Sequence, residues 1–214
     1  MSRPRILLAD DHTLVLEGLS KLLEKDFELV GTVEDGRTLV NLAQELDPEV
    51  VILDISMPQL NGIDAARQIH KLLPNCKLVF LTMHTDPHYA QEAFQAGASG
   101  YLLKRSAASE LTQAIQAVLK DQYYVTPAIT KEVFLPFLKQ SPPLSSNKDP
   151  LTPRQREVLQ LVAEGQCTKD IATILNLSIK TVEFHKSHIM KELDLHTTAE
   201  LTKYAISHGL VSPE

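Results

Sequence analysis

The first 120 residues alternate short apolar runs with longer stretches in which apolar side chains recur every three to four positions. The short runs predict buried strands, and the longer period predicts amphipathic helices. Strands that alternate with helices are typical of a parallel sheet covered on both faces, so we expect an α/β fold with a doubly wound sheet. Five strands are predicted, at Arg5–Ala9, Leu29–Val33, Val50–Leu53, Leu78–Thr82 and Gly100–Leu103, each followed by a helix, near 13–24, 37–46, 62–72, 88–96 and 107–119.

Residues 121–150 have the composition of a linker. Pro127 and Pro136 interrupt the segment, which ends in a run rich in Pro and Ser from Ser141 to Pro150. Such a composition favours extended chain over packed structure. A short helix from about Ala128 to Leu138 is compatible with the residues that precede this run.

From Leu151 the pattern becomes purely helical, which predicts a second, all-α four-helix domain over 151–214. Thr152 and Pro153, with Gln155 three positions after the threonine, form the signature of a capping box with proline at the first helical position. This first helix is expected to end before Gly165. The second is expected to begin at Thr168 and the third after the cap Ser178. The fourth is expected to begin at Thr197 or Thr198 and to run to about Ser207, ending at Gly209. Helix, short turn and helix across 168–191 match the helix-turn-helix layout.

Carboxylates follow two of the predicted strands. Asp10 and Asp11 come directly after the first strand, and Asp54 comes directly after the third. The carboxyl ends of adjacent parallel strands share one crevice, and three carboxylates that meet there must either share a cation or have raised pKa values and be partly protonated. Thr82 ends the fourth strand and Lys104 follows the fifth. These groups predict a Mg²⁺ site at which Asp54 acts as a nucleophile towards phosphorus, because a carboxylate can form an acyl phosphate.

The same residues resemble the phosphorylation site of a two-component response regulator. Receiver domains have the same residues at the corresponding positions. These are the pair Asp10-Asp11, the residues Thr82 and Lys104, and the motif Asp-x-x-Met-Pro-x-x-x-Gly, which runs from Asp54 to Gly62. The resemblance implies a receiver domain over 1–120 with flavodoxin-like strand order. It further implies that a sensor histidine kinase phosphorylates Asp54, and that phosphorylation and dephosphorylation are self-catalysed rather than part of an enzyme's turnover.

The resemblance also implies a metal site and a switch. Mg²⁺ would be bound by Asp11, Asp54 and the backbone carbonyl of Ser56, with Asp10 acting partly through water. After phosphorylation, the hydroxyl of Thr82 would turn towards the phosphate and the ring of Tyr101 would rotate inward. Ser56 and His84 each lie two residues after a site residue, Asp54 and Thr82 respectively, and are either determinants of the phosphoryl lifetime or ordinary exposed polar residues.

The C-terminal part is similar to the LuxR-type helix-turn-helix. The similarity rests on the segments Leu151–Leu159 and Lys169–Ala172, followed by Leu177-Ser178, Thr181-Val182 and His185. A receiver joined to such a module is the NarL/FixJ class of response regulators. Membership implies a phosphorylation-dependent transcriptional regulator that binds promoter half-sites in double-stranded DNA as a homodimer formed on activation, with RNA polymerase as a further candidate partner.

The DNA contacts are expected on the second and third helices of this module. The predicted DNA-binding residues are Thr168, Lys169, Ser178, Lys180, Thr181, Glu183, Phe184, Lys186, Ser187 and Lys191. Lysines contact phosphates and supply affinity without reading sequence. Glu183 stands where many family members have a basic residue; it either accepts from cytosine N4, with Phe184 touching a thymine methyl, or serves as a cap or charge partner.

Charge and composition limit the other possibilities. The net charge is −6, and residues 151–214 carry seven Lys and Arg against eight Asp and Glu, so the chain is not a general nucleic-acid binder. There is no apolar run of the roughly 18 residues that would span a membrane, and the N-terminus lacks the apolar region of a signal peptide. Cys76 and Cys167 lie far apart without metal-type spacing. We therefore expect a reduced, cytoplasmic protein without a membrane partner.

Two alternatives belong to other function classes. The chain could be a magnesium-dependent phosphatase or phosphotransferase that uses Asp54 on small phosphate esters. Against this, Ser56 rather than an acid follows Asp54 by two residues, and no substrate-capping insertion is visible. The chain could also be a phosphorelay or interaction module whose C-terminal helices bind protein instead of DNA.

Overall fold

A computed structural model describes residues 3–130 and 150–211 of the chain. The chain divides into two compact units, an α/β unit followed by a helical unit. Each unit has its own apolar core. This arrangement confirms the fold class predicted from the hydrophobic pattern.

The α/β unit contains a parallel sheet flanked by helices. Its strands are β1 (Arg5–Ala9), β2 (Glu28–Val33), β3 (Val50–Leu53), β4 (Lys77–Thr82), β5 (Ala98–Leu103) and β6 (Tyr124–Val125). Its helices are α1 (Thr13–Leu23), α2 (Gly36–Leu46), α3 (Gly62–Leu72), α4 (Pro87–Gln95) and α5 (Ala107–Val118), with a single 3₁₀ turn at Lys104–Ser106 before α5. The strand order is β2-β1-β3-β4-β5-β6, which confirms the flavodoxin-like order for the five predicted strands.

The sixth strand corrects the prediction of a five-stranded sheet. Tyr124 and Val125 pair in parallel with Gly100 and Tyr101 of β5. A strand of two residues is too short to produce an alternating or continuous apolar signal, so the pattern gave no sign of it. Ordered structure of the first unit therefore continues into the segment assigned to the linker, while the domain boundaries at 120 and 150 stay a prediction.

The expected short helix at 128–138 lies mostly outside the described residues. Residues 127–130 are helical, and nothing further along that helix is described before residue 150.

The core of the α/β unit explains why the central strands are continuous apolar runs. All four residues of β3 and the last four of β1 are buried, because helices cover both faces of the sheet. On one face, side chains of β1, β3 and β4 pack against α1 and α5. The polar residues that follow these strands are thereby placed at one edge of a rigid sheet.

Within residues 150–211, the helical unit contains four helices, α6 (Pro153–Ala163), α7 (Thr168–Ile174), α8 (Ile179–Glu192) and α9 (Thr198–Ser207). Capping boxes at Thr152 with Gln155 and at Thr197 with Glu200 begin α6 and α9, and Ser178 caps α8 by accepting from the Thr181 backbone N–H. Gly165 and Gly209 adopt positive φ after the ends of α6 and α9. The predicted helix starts and stops are therefore confirmed, with Thr197 as the cap and Thr198 as the first residue of α9.

No helix within residues 3–130 and 150–211 is both long enough and apolar enough to cross a membrane.

Candidate phosphorylation site and nucleic-acid interface

Asp10 and Asp54 lie side by side because their strands are neighbours. β1 and β3 pair in register, with Ala9 opposite Leu53, and the Asp54 backbone N–H donates to the Ala9 carbonyl at 3.0 Å. Each aspartate directly follows its strand, so both side chains reach the same end of the sheet. Asp10 is 1% exposed and Asp54 is 4% exposed, which makes them buried carboxylates that need a cation or hydrogen-bond donors.

Lys104 supplies positive charge to both carboxylates. Its Nζ lies 2.7 Å from Oδ2 of Asp10 and 2.8 Å from Oδ2 of Asp54, while the Ile55 backbone N–H donates to Oδ1 of Asp54 at 2.6 Å. Burial raises the pKa of Asp54, and the charge of Lys104 opposes that rise. Burial alone would lower the pKa of Lys104, but Asp54 and Asp10 together raise it above its ordinary value, so the ammonium stays charged.

Asp11 and His12 complete an acidic cluster with Asp10 and Asp54. One ligand atom from each of these four residues lies within 4.8 Å of the others. Oxygen donors of this kind are the ones that Mg²⁺ prefers, so the predicted ligands Asp10, Asp11 and Asp54 fit the ion. His12 was not predicted as a site residue, although its place directly after Asp10-Asp11 was a usable signal. Its Nδ1 lies 2.7 Å from Oδ1 of Asp11 and 3.1 Å from Oδ1 of Asp10.

Gly62 allows α3 to begin against the backbone of Asp54. Its backbone N–H donates to the Ile55 carbonyl at 2.7 Å. A Cβ at this position would lie 1.9 Å from the carbonyl oxygen of Asp54, so no side chain fits without movement of the backbone. The glycine that ends the Asp-x-x-Met-Pro-x-x-x-Gly motif thus sets the path of the chain that carries the acidic site.

The predicted switch residues Thr82 and Tyr101 are both buried and meet at His84. The hydroxyl of Tyr101 donates to the backbone carbonyl of His84 at 3.0 Å, and the backbone N–H of His84 donates to Oγ1 of Thr82 at 3.3 Å. Burial, reinforced by the charge of Asp54, raises the pKa of Tyr101, so the phenol is protonated and can donate. The ring of Tyr101 is buried in this structure, whereas the family resemblance implies inward rotation only after phosphorylation, so its role as a switch stays a prediction.

Ser56 and His84 contact each other directly. Oγ of Ser56 and Nε2 of His84 are 3.0 Å apart, within hydrogen-bonding distance, and both residues are half-buried. Burial lowers the pKa of His84, against the opposing effect of Asp54. The sequence placed these residues two positions after Asp54 and Thr82 but contained no signal that their side chains touch. The role of the Ser56 carbonyl as a metal ligand stays a prediction.

The described structure places most of the predicted DNA-binding residues on exposed surface of α7 and α8. The exposed members are Lys169, Ser178, Lys180, Glu183, Phe184, Ser187 and Lys191, and the half-buried members are Thr168, Thr181 and Lys186. Val182 and Ile189 on the opposite side of α8 are buried in the core of the unit. Phe184 is 65% exposed, so its ring is accessible on the surface of α8.

Some of these side chains already have partners within the unit. Nζ of Lys186 donates to Oγ1 of Thr198 at 3.3 Å, and the hydroxyls of Ser178 and Thr181 are 2.7 Å apart. Lys180 and Lys191 are thus better placed than Lys186 to reach a phosphate. The assignment of individual DNA contacts stays a prediction.

Arg154 joins α6 to the end of α7 and was not predicted. Its guanidinium donates to Glu157 at 2.6 Å and to the backbone carbonyl of Leu175, which follows α7. A hydrogen bond of 2.8 Å also joins Gln155 to His188. These contacts fix α6 to α7 and to α8, the latter through the exposed side chain of His188.

Comparisons with known proteins agree with both units. Residues 6–116 match the response regulator receiver domain, and residues 149–205 match the luxR family of bacterial regulatory proteins. The transcriptional regulatory protein MctR of Rhizobium johnstonii is 37% identical over 97% of this chain and 95% of its own length. The oxygen regulatory protein NreC of Staphylococcus epidermidis is 39% identical over 97% of this chain and 99% of its own length.

A solved structure of similar organisation is the RcsB response regulator of Salmonella enterica serovar Typhimurium, bound to a promoter in the presence of the phosphomimetic beryllofluoride. It has 30% sequence identity and a TM-score of 0.59, over 97% of this chain and all of that one. With a receiver site on the first unit and a helix-turn-helix on the second, the chain belongs to the NarL/FixJ-type response regulators, which join a receiver domain to a LuxR-type domain.

Proposed function

We propose that this protein is a phosphorylation-dependent, DNA-binding transcriptional regulator in which Asp54 accepts a phosphoryl group from a sensor histidine kinase. The observation that carries the proposal is the geometry around Asp54. Its carboxylate ends a buried strand, and one oxygen lies 2.8 Å from the Lys104 ammonium beside two further aspartates. This combines a nucleophile, a cation for phosphoryl oxygens and ligands for a divalent ion in one place.

The transfer requires little covalent chemistry from the protein. A carboxylate oxygen of Asp54 bonds to phosphorus while the bond from phosphorus to the donor histidine nitrogen breaks, and the electron pair of that bond returns to the imidazole. Lys104 already contacts Asp54 and stays charged, so its ammonium can neutralise a phosphoryl oxygen. The Ile55 backbone N–H, donating to the other oxygen, holds the carboxylate in orientation.

Asp10, Asp11 and Asp54, with the backbone carbonyl of Ser56, would hold Mg²⁺. When bound, the ion neutralises charge on the phosphoryl oxygens and the surrounding carboxylates. Asp10 is the most buried of the three and shares Lys104 with Asp54, so it also keeps the lysine directed at the site.

Thr82 and Tyr101 would convert phosphorylation into a change of shape. The hydroxyl of Thr82 is free to turn towards a phosphoryl group once it gives up its bond to His84, and that bond is long, at 3.3 Å. The backbone carbonyl of His84, in the loop after β4, also accepts from the hydroxyl of Tyr101, so phosphorylation would act by stabilising the buried position that the phenol already has. A few kcal/mol of differential stabilisation are enough to shift such a two-state population.

The output is proposed to be promoter binding by α8 in a homodimer. The structures of RcsB bound to a promoter in the presence of a phosphomimetic, and of RcsB dimers bound to DNA, support this proposal. Helix-turn-helix dimers read half-sites about one helical turn apart, so a roughly palindromic operator is expected. RNA polymerase remains a candidate partner by class membership alone.

A phosphatase acting on small esters would need a second acidic residue two positions after Asp54. Ser56 occupies that position, and its hydroxyl lies within hydrogen-bonding distance of His84, which disfavours this enzyme class.

Binding of beryllofluoride with Mg²⁺ tests the phosphoacceptor directly. Fluorine NMR of wild type is expected to show a bound signal that requires Mg²⁺ and disappears in Asp54→Asn, because the amide cannot supply the anionic oxygen that beryllium binds. An identical bound signal in Asp54→Asn, or none in wild type, would contradict the proposal.

A further inference from the structure

Thr126 follows β6 directly and bonds to the end of β5 through two of its groups. Its backbone N–H donates to the carbonyl of Tyr101 at 3.0 Å, and its hydroxyl oxygen accepts from the backbone N–H of Leu103 at 3.2 Å. Thr126 is 1% exposed, which keeps water from competing for these bonds. Leu103 directly precedes Lys104, so a residue of the segment after α5 fixes the strand end that carries the lysine.

The hydroxyl of Thr126 replaces a backbone carbonyl that a regular ladder would use. Between parallel strands, a residue that donates its N–H to one carbonyl accepts, with its own carbonyl, from the N–H two residues further along the partner strand. On this pattern the Thr126 carbonyl would face the N–H of Leu103. It accepts instead from the backbone N–H of Ile129 at 3.1 Å and from the hydroxyl of Thr130 at 3.0 Å, because the chain turns into the helical residues 127–130. The side chain thus supplies the acceptor where the strand ends.

The residues on both sides of Thr126 are packed against the first unit. Before it, Tyr124 of β6 packs at the edge of the core that α1 and α5 share with the sheet, and its hydroxyl donates to Oε2 of Glu110 at 3.4 Å. After it, Ile129 is buried. The position of the threonine is therefore determined by this packing as well as by its bonds to β5.

Lys104 depends on the end of β5 for its position in the acidic site. Its Nζ bonds to both Asp10 and Asp54, and its backbone begins a 3₁₀ turn directly after Leu103. A buried N–H that loses its acceptor is costly, so the strand end must shift to find another partner or admit water. Such a shift moves the Cα of Lys104 and, with it, the origin of the side chain that reaches the two carboxylates.

We propose that Thr126 is a positioning residue for the phosphorylation of Asp54, because it fixes the strand end from which Lys104 reaches the incoming phosphoryl group. This inference rests on the proposed function, since it requires phosphoryl transfer to Asp54. In that transfer an Asp54 oxygen bonds to phosphorus, the bond from phosphorus to the donor nitrogen breaks, and its electron pair returns to the nitrogen. With phosphoramidate as donor, ammonia leaves from the N-protonated form. Thr126 exchanges no proton and does not touch the reacting atoms.

The test compares the phosphorylation rates of full-length variants with phosphoramidate and Mg²⁺, followed by phosphate-affinity electrophoresis. Thr126→Val keeps the shape of the side chain and removes its hydroxyl, and Thr126→Ser restores a hydroxyl. Thr130→Val is the matched control, since it removes a nearby hydroxyl whose bonds go to the carbonyls of Val125 and Thr126. Asp54→Asn measures any background labelling.

Thr126→Val is expected to slow phosphorylation about tenfold. Displacement of a reacting group by roughly 1 Å lowers a rate on the order of 10²-fold, and the effect should be smaller here because the long side chain of Lys104 can partly follow a shift of its backbone. Thr126→Ser and Thr130→Val should stay within about twofold of the wild-type rate, since both keep the acceptor for Leu103.

Fluorine NMR with beryllofluoride and Mg²⁺ gives a readout that a merely structural role would not move. In the proposed function one fluorine takes the place of the phosphoryl oxygen beside Lys104. The signal of this fluorine should therefore shift in Thr126→Val, whereas the signals of Thr126→Ser and Thr130→Val should superimpose on those of wild type.

Equal rates for Thr126→Val and wild type, equal slowing in Thr126→Ser or Thr130→Val, or an unshifted fluorine signal in Thr126→Val would overturn the positioning role. If circular dichroism shows that Thr126→Val does not fold, hydrogen exchange of wild type decides. The Leu103 amide should then exchange at least about a hundredfold more slowly than an exposed amide, and exchange at the exposed rate would overturn the role. Wild type that accepts no phosphoryl group would instead refute the proposed function, so the two failures are distinguishable.

Discussion

Replacing Gly62 by alanine tests whether the close approach of α3 to Asp54 is needed for activity. The new Cβ would lie 1.9 Å from the Asp54 carbonyl oxygen and 2.9 Å from its carbonyl carbon, and Cβ contacts under 3.0 Å essentially never occur. The neighbours are backbone atoms, so a rotamer change cannot relieve the clash. The start of α3 and the end of β3 must separate by about 1.1 Å to reach 3.0 Å.

This separation is expected to affect stability and phosphorylation together. Overpacking of this kind costs about 1–3 kcal/mol of the free energy of unfolding. Displacement of a reacting group by roughly 1 Å lowers a rate on the order of 10²-fold. We therefore expect Gly62→Ala to lower the urea midpoint of the receiver and to slow phosphorylation of Asp54 by phosphoramidate by about that factor.

Gly18→Ala is the matched control. Gly18 is an exposed residue of α1, and a Cβ there would meet nothing within 4 Å. Alanine in a helix interior is more favourable than glycine by about 0.5–1 kcal/mol, so this variant should be slightly more stable and fully active. Equal stability and phosphorylation rates for Gly62→Ala and Gly18→Ala would refute the reasoning.

Three further changes test the acidic site and the helical unit. Lys104→Met should lower the free energy of unfolding by about 3 kcal/mol in EDTA, because two buried carboxylates lose their cation. Adding Mg²⁺ should recover part of this loss of stability. A loss that is the same with and without Mg²⁺ would argue that the lysine and the ion do not share a site. Thr152→Ala should destabilise the helical unit by about 1 kcal/mol in urea unfolding, since it removes a capping box; no change would show that the cap is dispensable. Lys180→Ala should reduce the slope of log affinity for DNA against log salt by about 0.9, whereas Lys203→Ala on α9 should not; equal slopes would exclude Lys180 from phosphate contact.

Much of the fold could be predicted because the central strands are buried on both faces. Continuous apolar runs then mark each strand, and β1 and β3 occupy the residues expected from them. The acidic site followed from the same pattern, since Asp10 and Asp54 directly follow such runs. Helix ends were equally well marked, because Ser178 and the capping-box threonines are local signals that need no tertiary information.

What could not be predicted depends on contacts between distant segments. β6 exists only because Tyr124 and Val125 reach the edge of β5, and two residues carry no periodic signal. The bond between Ser56 and His84 joins residues 28 positions apart, and the bond from Lys186 to Thr198 joins two helices. No local propensity specifies such pairs, which arise when the sheet and the helices bring their ends together.

In the proposed function, the state of Asp54 controls DNA binding by the helical unit. The most direct measurement is selection of bound DNA from a genomic pool, with and without beryllofluoride and Mg²⁺, for wild type and Asp54→Ala. We predict enrichment of a sequence with two half-sites that strengthens only for wild type with the phosphomimetic. Equal enrichment in all four samples, or no enrichment in any, would contradict the account.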